Sequence, residues 1–244
     1  MMIEKYEKIM IGILLFLGVL LLLPVPGEKK AQPVFGETKK VCYLTFDDGP
    51  SEMTEKVLDI LKKYQIQATF FVVGQELTPG RAHLIQRMKE EGHDIGMHAN
   101  VHVYEQLYAS RESFFKDYET LYATLVKEYG LHPTLYRFPG GSVCNCLNGR
   151  GKEYIQEMKN RGFTCFDWNV SGEDAVGSPT AESIKKHVLE RGLGCNRAIV
   201  LLHDSNMAGE TVMALPGIIE AFFEVGVTFD TLENTQGYVF PVRR

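Results

Sequence analysis

Excess positive charge is missing from this 244-residue chain, in which 26 Lys and Arg stand against 31 Asp and Glu for a formal net charge of −5. With no basic footprint to neutralise a phosphate backbone, nucleic acid is excluded as a partner. No segment repeats and none is of low complexity, so the chain is neither a repeat array nor a disordered tail. Cysteine is scarce and odd in number: Cys42, Cys144, Cys146, Cys165 and Cys195 cannot all pair within one chain. Cys144 and Cys146 form a C-x-C half-site, but no second pair of that spacing accompanies them. A zinc thiolate centre is therefore disfavoured, and a disulfide or free thiols remain open.

Long apolar runs are also rare, and the one present decides the compartment. Ile9–Gly27 carries no charge across 19 residues, and its stretch Ile9–Leu23 is almost wholly Ile, Leu, Val, Met and Phe. At ~1.5 Å per residue a helix of that length reaches about 30 Å, close to the hydrocarbon thickness of a bilayer. Lys5 and Lys8 precede it, diluted by Glu4 and Glu7. A signal anchor and a cleaved signal peptide compete for the segment, with a buried helix as a third reading, and the lack of an A-x-A site favours the anchor. Residues 1–27 are expected to be an N-terminal transmembrane helix, residues 28–40 a linker, and residues 41–244 a single catalytic domain. Anchor and cleaved signal alike place that domain outside the cytoplasm, and the anchor makes the membrane a partner. Residues 1–40 carry a net +2, which leaves −7 on the domain and suits a neutral or mixed-charge substrate better than a strongly anionic one.

Beyond the linker, strand-like runs alternate with amphipathic helical patterns. Strands are predicted at Val41–Phe46, Ala68–Val73, Asp94–Met97, Leu135–Phe138, Thr164–Val170, Ala198–Leu202 and Val227–Thr231. Helices are predicted at Glu52–Tyr64, Arg81–Glu91, Glu112–Tyr129, Lys152–Arg161, Thr180–Arg191 and Val212–Phe223. Ser51 is a candidate cap for the first helix, and Ser178-Pro179 for the helix that starts at Thr180. This alternation means parallel strands with right-handed crossovers, in an open doubly wound sheet or a closed barrel. Both architectures put their chemistry at the carboxyl ends of the strands. After the first strand come Asp47-Asp48, after the third His98 and His102, in the fourth and just beyond Arg137-Phe138-Pro139-Gly140, in the fifth Asp167-Trp168, and after the sixth His203-Asp204.

His98 and His102 are four residues apart, which turns both imidazoles to one side, as a metal site needs. Alone the pair is weak, since surface and cap histidines share that spacing. Asp47-Asp48 alone is weaker, because Asp is common in turns after strands. Together they form a hydrolytic metal set in which one carboxylate ligates and its neighbour is free to act as a base. His203 ends the very apolar Ile199–Leu202. A buried structural histidine is the default reading of such a position, but its place on the same rim makes it the candidate general acid. His83, His93, His132 and His187 lie in helical patterns or turns and receive no function, and Asp174 and Asp204 are read as capping or turn residues.

In this order the residues resemble the motifs of the polysaccharide deacetylase family, the NodB-homology domain of carbohydrate esterase family 4. Thr45-Phe46-Asp47-Asp48-Gly49 looks like the first motif, and His98-Ala99-Asn100-Val101-His102 is similar to the H-(S/T)-x-x-H of the second. Arg137-Phe138-Pro139-Gly140-Gly141 resembles the third, Asp167-Trp168 the fourth and Leu201-Leu202-His203-Asp204 the fifth, so that the resemblance covers about Val41 to Leu232. It implies a distorted (β/α)7 barrel. It further implies that Asp48, His98 and His102 hold one divalent metal ion, zinc first and cobalt or another divalent ion next. Asp47 would be the general base and His203 the general acid, with Arg137 orienting Asp47 and Asp167 tuning His203 by charge pairing. The Gly140 N–H would share the developing oxyanion, and Trp168 and Leu201 would line the pocket for the acetyl methyl.

The implied activity is hydrolysis of a carbon–nitrogen bond other than a peptide bond, removing N-acetyl groups from an envelope glycan. Peptidoglycan N-acetylglucosamine leads among the substrates, with a chitin-like polymer behind it. A xylan-type O-acetyl esterase is the enzymatic alternative, and a carbohydrate-binding pseudoenzyme the non-enzymatic one. The latter is motivated by Ala99, which stands where the family carries Ser or Thr, and by Gly140, which stands where many members have an aromatic residue.

Overall fold

Alternation along the first strand sets up two layers. The computed structural model describes residues 39–241, and β1 (Val41–Asp47) is buried along nearly its whole length. A strand's side chains alternate between faces with period two. Tyr43 accordingly joins an inner cluster with Phe71, Leu135, Phe166, Ile199 and Leu232. Cys42, Leu44 and Phe46 join the larger cluster that includes the buried helix residues. Thr45 and Asp47 share the inner face with Tyr43, so the same periodicity that builds the core aims a carboxylate inward at the strand's carboxyl end.

The remaining elements follow in the expected alternation: α1 (Glu52–Tyr64), β2 (Thr69–Val73), α2 (Ala82–Glu90), β3 (Asp94–Ala99), a single turn α3 (Tyr104–Leu107), and α4 (Arg111–Tyr129). Then come β4 (Leu135–Tyr136), α5 (Gly151–Asn160), β5 (Thr164–Cys165), β6 (Val170–Ser171), α6 (Ala181–Gly192), β7 (Arg197–His203), α7 (Gly209–Glu224) and β8 (Thr228–Phe229). Ser51 caps α1 by accepting from the Met53 N–H at 2.9 Å, and the Thr54 hydroxyl accepts from the Ser51 N–H at 2.7 Å. The α6 cap differs from the expectation. Thr180, whose backbone is extended, accepts from the Ser183 N–H at 3.2 Å, so the cap is Thr180 and Pro179 lies outside the helix.

All ladders are parallel, and the strand order is β5-β4-β3-β2-β1-β7-β6, with β8 added beside β1. The predicted strand Thr164–Val170 is thus corrected to two strands that occupy opposite edges of the sheet. Five backbone steps separate Cys165 from Val170, a reach of at most about 18 Å. Seven strands laid flat at about 4.8 Å spacing would span about 29 Å. The sheet must therefore curl until its edges nearly meet. No ladder joins β5 to β6 among the described residues, so the architecture is a parallel half-barrel closed by the chain itself.

The inner face at this gap is filled by Arg137, which is fully buried. Its Nε donates to the Phe166 carbonyl at 3.0 Å and its Nη2 to the Asp167 carbonyl at 3.2 Å, while the guanidinium lies 4.3 Å over the Phe71 ring. The segment at Tyr238 runs beside the bridge, pairing with Phe166 and accepting from the Asp167 N–H at 2.6 Å.

The apolar run Ile9–Leu23 and the expected anchor lie outside the described residues. Among those residues no helix is long and apolar enough to cross a membrane.

Candidate active site

At the carboxyl end of β1 the chain turns through Asp48 in a left-handed conformation, φ 76°. Asp tolerates that region better than most residues because of its short polar side chain. The next residue must be glycine, because a Cβ on Gly49 would run into the Asp204 carboxylate behind it. Asp204 is buried, accepts from the Thr54 hydroxyl at 2.5 Å, and its backbone carbonyl accepts from the Ser51 hydroxyl at 2.5 Å. Burial pushes this carboxyl up to about 7, with the Thr54 bond pulling against it and the Asp48 and Asp47 charges adding to it. Asp204 therefore acts as a buried support for the turn.

Asp48 Oδ1 is buried and has no hydrogen-bond partner among the described residues. It lies 3.5 Å from His98 Nε2 and 3.5 Å from His102 Nε2, and the three donor atoms fall within 4.8 Å of one another. Ligands about 2.0–2.1 Å from a tetrahedral ion sit about 3.4 Å apart, so the two spacings to Asp48 are those of a coordination shell. His98 Nδ1 faces the Arg137 carbonyl at 2.8 Å. Donation to that carbonyl places the proton on Nδ1 and turns the Nε2 lone pair toward Asp48. Burial lowers the His98 pKa, opposed by the Asp47 and Asp48 charges, and the neutral ring is the form that ligates. The donor set fits one divalent cation.

The loop between the two histidines is held from outside. Asp117, on α4, accepts from the Asn100 N–H at 2.7 Å with one oxygen and from the Val101 N–H at 2.8 Å with the other. Ala99 offers no hydroxyl, and this carboxylate supplies a brace by another route. No local pattern in the sequence marks Asp117, which reads as one polar position on a helix.

Asp47 is divided between two tasks. Its Oδ1 accepts from Arg137 Nη1 at 2.9 Å, and Oδ2 is 3.8 Å from His98 Nε2. The same Nη1 reaches the Thr45 hydroxyl at 2.6 Å. Arg137 thus fixes one oxygen and leaves the other facing the donor cluster.

Beside Asp47, His203 ends β7, the strand paired with β1, and stands in register with Asp47. Its carboxylate partner is Asp174: Nδ1 meets Asp174 Oδ1 at 2.8 Å, and Asp174 Oδ2 accepts from the His203 N–H and from the Thr211 hydroxyl, both at 2.7 Å. This corrects two expectations, that Asp167 pairs with His203 and that Asp174 only caps a turn. Asp167 is instead buried against the third-motif loop, accepting from the Ser142 N–H at 2.8 Å, the Ser142 hydroxyl, and the Phe240 N–H at 2.6 Å. The physical reason is the split strand: Asp167 lies in the bridge between the sheet edges, whereas Asp174 follows β6, the neighbour of β7. Burial disfavours charge on His203, but the hydrogen bond and charge of Asp174, with the Asp47 and Asp48 charges, outweigh it and hold the imidazole up at about 9.

The third-motif loop runs past the donor cluster. Gly140 is exposed with φ 78°, and among the described residues its N–H has no backbone acceptor. Cys144 and Cys146 form a disulfide, which settles the open question of that pair, while Cys42, Cys165 and Cys195 are free. Trp168 packs edge-on to Phe240 with centroids 5.1 Å apart and lies 5.8 Å from the Arg137 guanidinium. Leu201 is buried in β7 opposite Thr45.

A curled parallel sheet that presents a carboxylate and two imidazoles as a cation site, with a bonded carboxylate and a bonded imidazole on its flanks, defines a hydrolase of the metal-dependent type. Residues 36–166 match the family described as polysaccharide deacetylase, and the chain belongs to that family. It is 31% identical over 214 residues to a peptidoglycan-N-acetylglucosamine deacetylase of Bacillus cereus, covering 85% of this chain and 74% of the relative. The solved catalytic domain of a peptidoglycan N-acetylglucosamine deacetylase from Eubacterium rectale superposes with a TM-score of 0.78 at 31% identity, over 91% of this chain and 96% of that one. A family 4 acetyl xylan esterase from Clostridium thermocellum, solved with a cobalt ion, gives 0.67 at 31% identity over 80% and 89% of the two chains.

Proposed function

We propose that the protein is a divalent-metal-dependent deacetylase that hydrolyses N-acetyl groups of an envelope glycan, with peptidoglycan N-acetylglucosamine as its substrate and zinc as its ion. The observation that carries this reading is the orphaned Asp48 Oδ1, set 3.5 Å from each of two imidazole nitrogens beside an Asp47 whose other oxygen is already bound. A cation held by Asp48, His98 and His102 would supply Lewis acidity to the acetamide carbonyl and acidify an attacking water.

The remaining work falls to the chain's own groups. Asp47 Oδ2 is the atom placed to take a proton from the attacking water, because Oδ1 is held by Arg137. The Gly140 N–H is a donor available to the oxygen that becomes negative as the carbonyl is attacked. His203, protonated at neutral pH through its pairing with Asp174, presents Nε2 to the leaving amine and gives up its proton there. An amine leaving group needs that proton more than an alkoxide does, which favours the amide reading over the ester one. The apolar N-terminal run supports a membrane-anchored enzyme with residues 41–244 outside the cytoplasm, working on polymer within reach of residues 28–40.

Acetate release from N-acetylated peptidoglycan fragments and from acetylated xylan, each with and without chelator, tests the proposal. The expected outcome is release from the first, loss with chelator, and recovery on adding zinc or cobalt. A strong preference for xylan, or release indifferent to chelator, would overturn it.

A further inference from the structure

Beside the donor cluster, on the His102 side, lies a hollow of about 360 Å³ lined by Tyr104, Glu105, Tyr108, Ala109, Cys146 and Asn148. Tyr104 belongs to both places. Its ring centroid is 5.4 Å from that of His102 and 6.2 Å from that of Tyr108, and its side chain is partly open to solvent. The hydroxyl lies 3.3 Å from where a Cβ on Gly140 would stand, and Cys144 Sγ lies 3.1 Å from the same point. Tyr104 and the disulfide therefore close around the space that a side chain at position 140 would enter. The rest of the lining is mixed. Tyr108 is buried and anchored by its hydroxyl to the Pro139 carbonyl at 3.0 Å, so one wall is tied to the loop that carries Gly140. Asn148 and Glu105 supply an amide and a carboxylate at the edge.

We propose that this hollow is a glycan subsite, in which Tyr104 stacks under the pyranose next to the one being deacetylated and Glu105 and Asn148 bind its hydroxyl and amide edge. The inference rests on the deacetylase reading for the identity of the polymer. An exposed aromatic face takes the apolar C–H face of a sugar ring, and polar groups at the rim fix its edge. The volume is ample for one N-acetylated pyranose. Glu105 is the sole charged residue of the lining, so a neutral or amino sugar is admitted and an acidic one is disfavoured. Because Tyr104 also neighbours His102, a sugar seated in the hollow lies one residue along the chain from the reacting acetamide. Length dependence of the substrate is the functional consequence.

Calorimetric titration of the zinc-loaded Asp47→Asn protein with chitotetraose reads the subsite without turnover. Tyr104→Ala in that background is expected to weaken binding about tenfold, as loss of a well-packed tyrosine anchor does, and Tyr104→Phe to weaken it no more than about threefold, the ring being kept. Ala109→Trp, which fills the hollow from a position away from the metal ligands, is expected to weaken chitotetraose binding about tenfold while binding of the N-acetylglucosamine monosaccharide changes less than about twofold. A cobalt titration of each variant reports whether the donor cluster is intact. Chitotetraose affinity unchanged by both Tyr104→Ala and Ala109→Trp, or no measurable binding to the parent, overturns the subsite. Failure of the wild-type protein to release acetate overturns the deacetylase reading, and the titrations report on the hollow separately.

Discussion

His98 and His203 stand on the walls to either side of β1, both at the ends of parallel strands, and their second ring nitrogens meet different partners. His98 Nδ1 faces a backbone carbonyl at 2.8 Å, and burial holds its pKa below the ordinary value. His203 Nδ1 faces the Asp174 carboxylate at the same distance, and its pKa is held up at about 9. A carbonyl fixes a tautomer without adding charge and yields a neutral ligand. A carboxylate stabilises the imidazolium and yields a proton donor. The atom behind the ring, more than the ring's own place in the fold, divides the labour between the two walls.

The largest break in this comparison comes from deleting the rings. His98→Ala should lose stoichiometric zinc or cobalt and cut acetate release by about 1,000-fold or more, whereas His203→Ala should lose turnover by a similar factor with the metal retained. Metal analysis beside acetate release separates the walls, and a His98→Ala protein that kept its metal would refute the ligand assignment.

Asp174→Asn sharpens the comparison by giving His203 an uncharged partner like that of His98. Without the carboxylate, burial acts with less opposition, so the pKa falls from about 9 toward or below the ordinary value of about 6.5. The acid is then deprotonated at lower pH, and the alkaline limb of the kcat/KM profile should move down by at least about one unit, with a loss of about 10- to 100-fold at pH 8. A cation at the donor cluster lowers both values and leaves the direction unchanged. An alkaline limb that stayed in place would show that another group sets it.

The smallest effect is expected at Asp117, which touches neither ring. Asp117→Ala frees the Asn100 and Val101 N–H groups and should weaken cobalt affinity about tenfold, measured by the visible absorption of the bound ion. Asp117→Asn keeps one acceptor and should lose less. Equal affinity in all three proteins would make the carboxylate a helix-surface group with no bearing on the cluster.

Much of the site was legible in the sequence, because Asp47, Asp48, His98 and His203 end or directly follow strand runs and His102 stands four residues from His98. In a parallel α/β sheet that position alone points to the functional rim. The pairing of Asp174 with His203 was not legible in the same way. Thr164–Val170 has an unbroken strand-like pattern, and nothing local reveals that the chain leaves one sheet edge at Cys165 and joins the other at Val170. With that run read as one strand, Asp167 becomes part of a strand and Asp174 a loop residue beyond it. Asp174 lies three residues past β6, whereas Asp48 and Asp204 follow their own strands at once, so no shared spacing marks it. The return of Tyr238–Phe240 to the mouth had no signal, since the segment has neither periodicity nor a motif.

Residues 166–169 also govern how far this domain can be altered by insertion. A loop between a helix and a strand can be lengthened at little entropic expense. Lengthening this bridge would let the two edges part and draw the Phe166 and Asp167 carbonyls away from Arg137, leaving its Nε and Nη2 donors buried without acceptors while Asp47 remains its charge partner. A buried donor left without its acceptor costs about 1–3 kcal/mol, a large share of a domain's net stability. The bridge therefore behaves as a segment of fixed length, and new loops for new glycans have to grow elsewhere around the mouth.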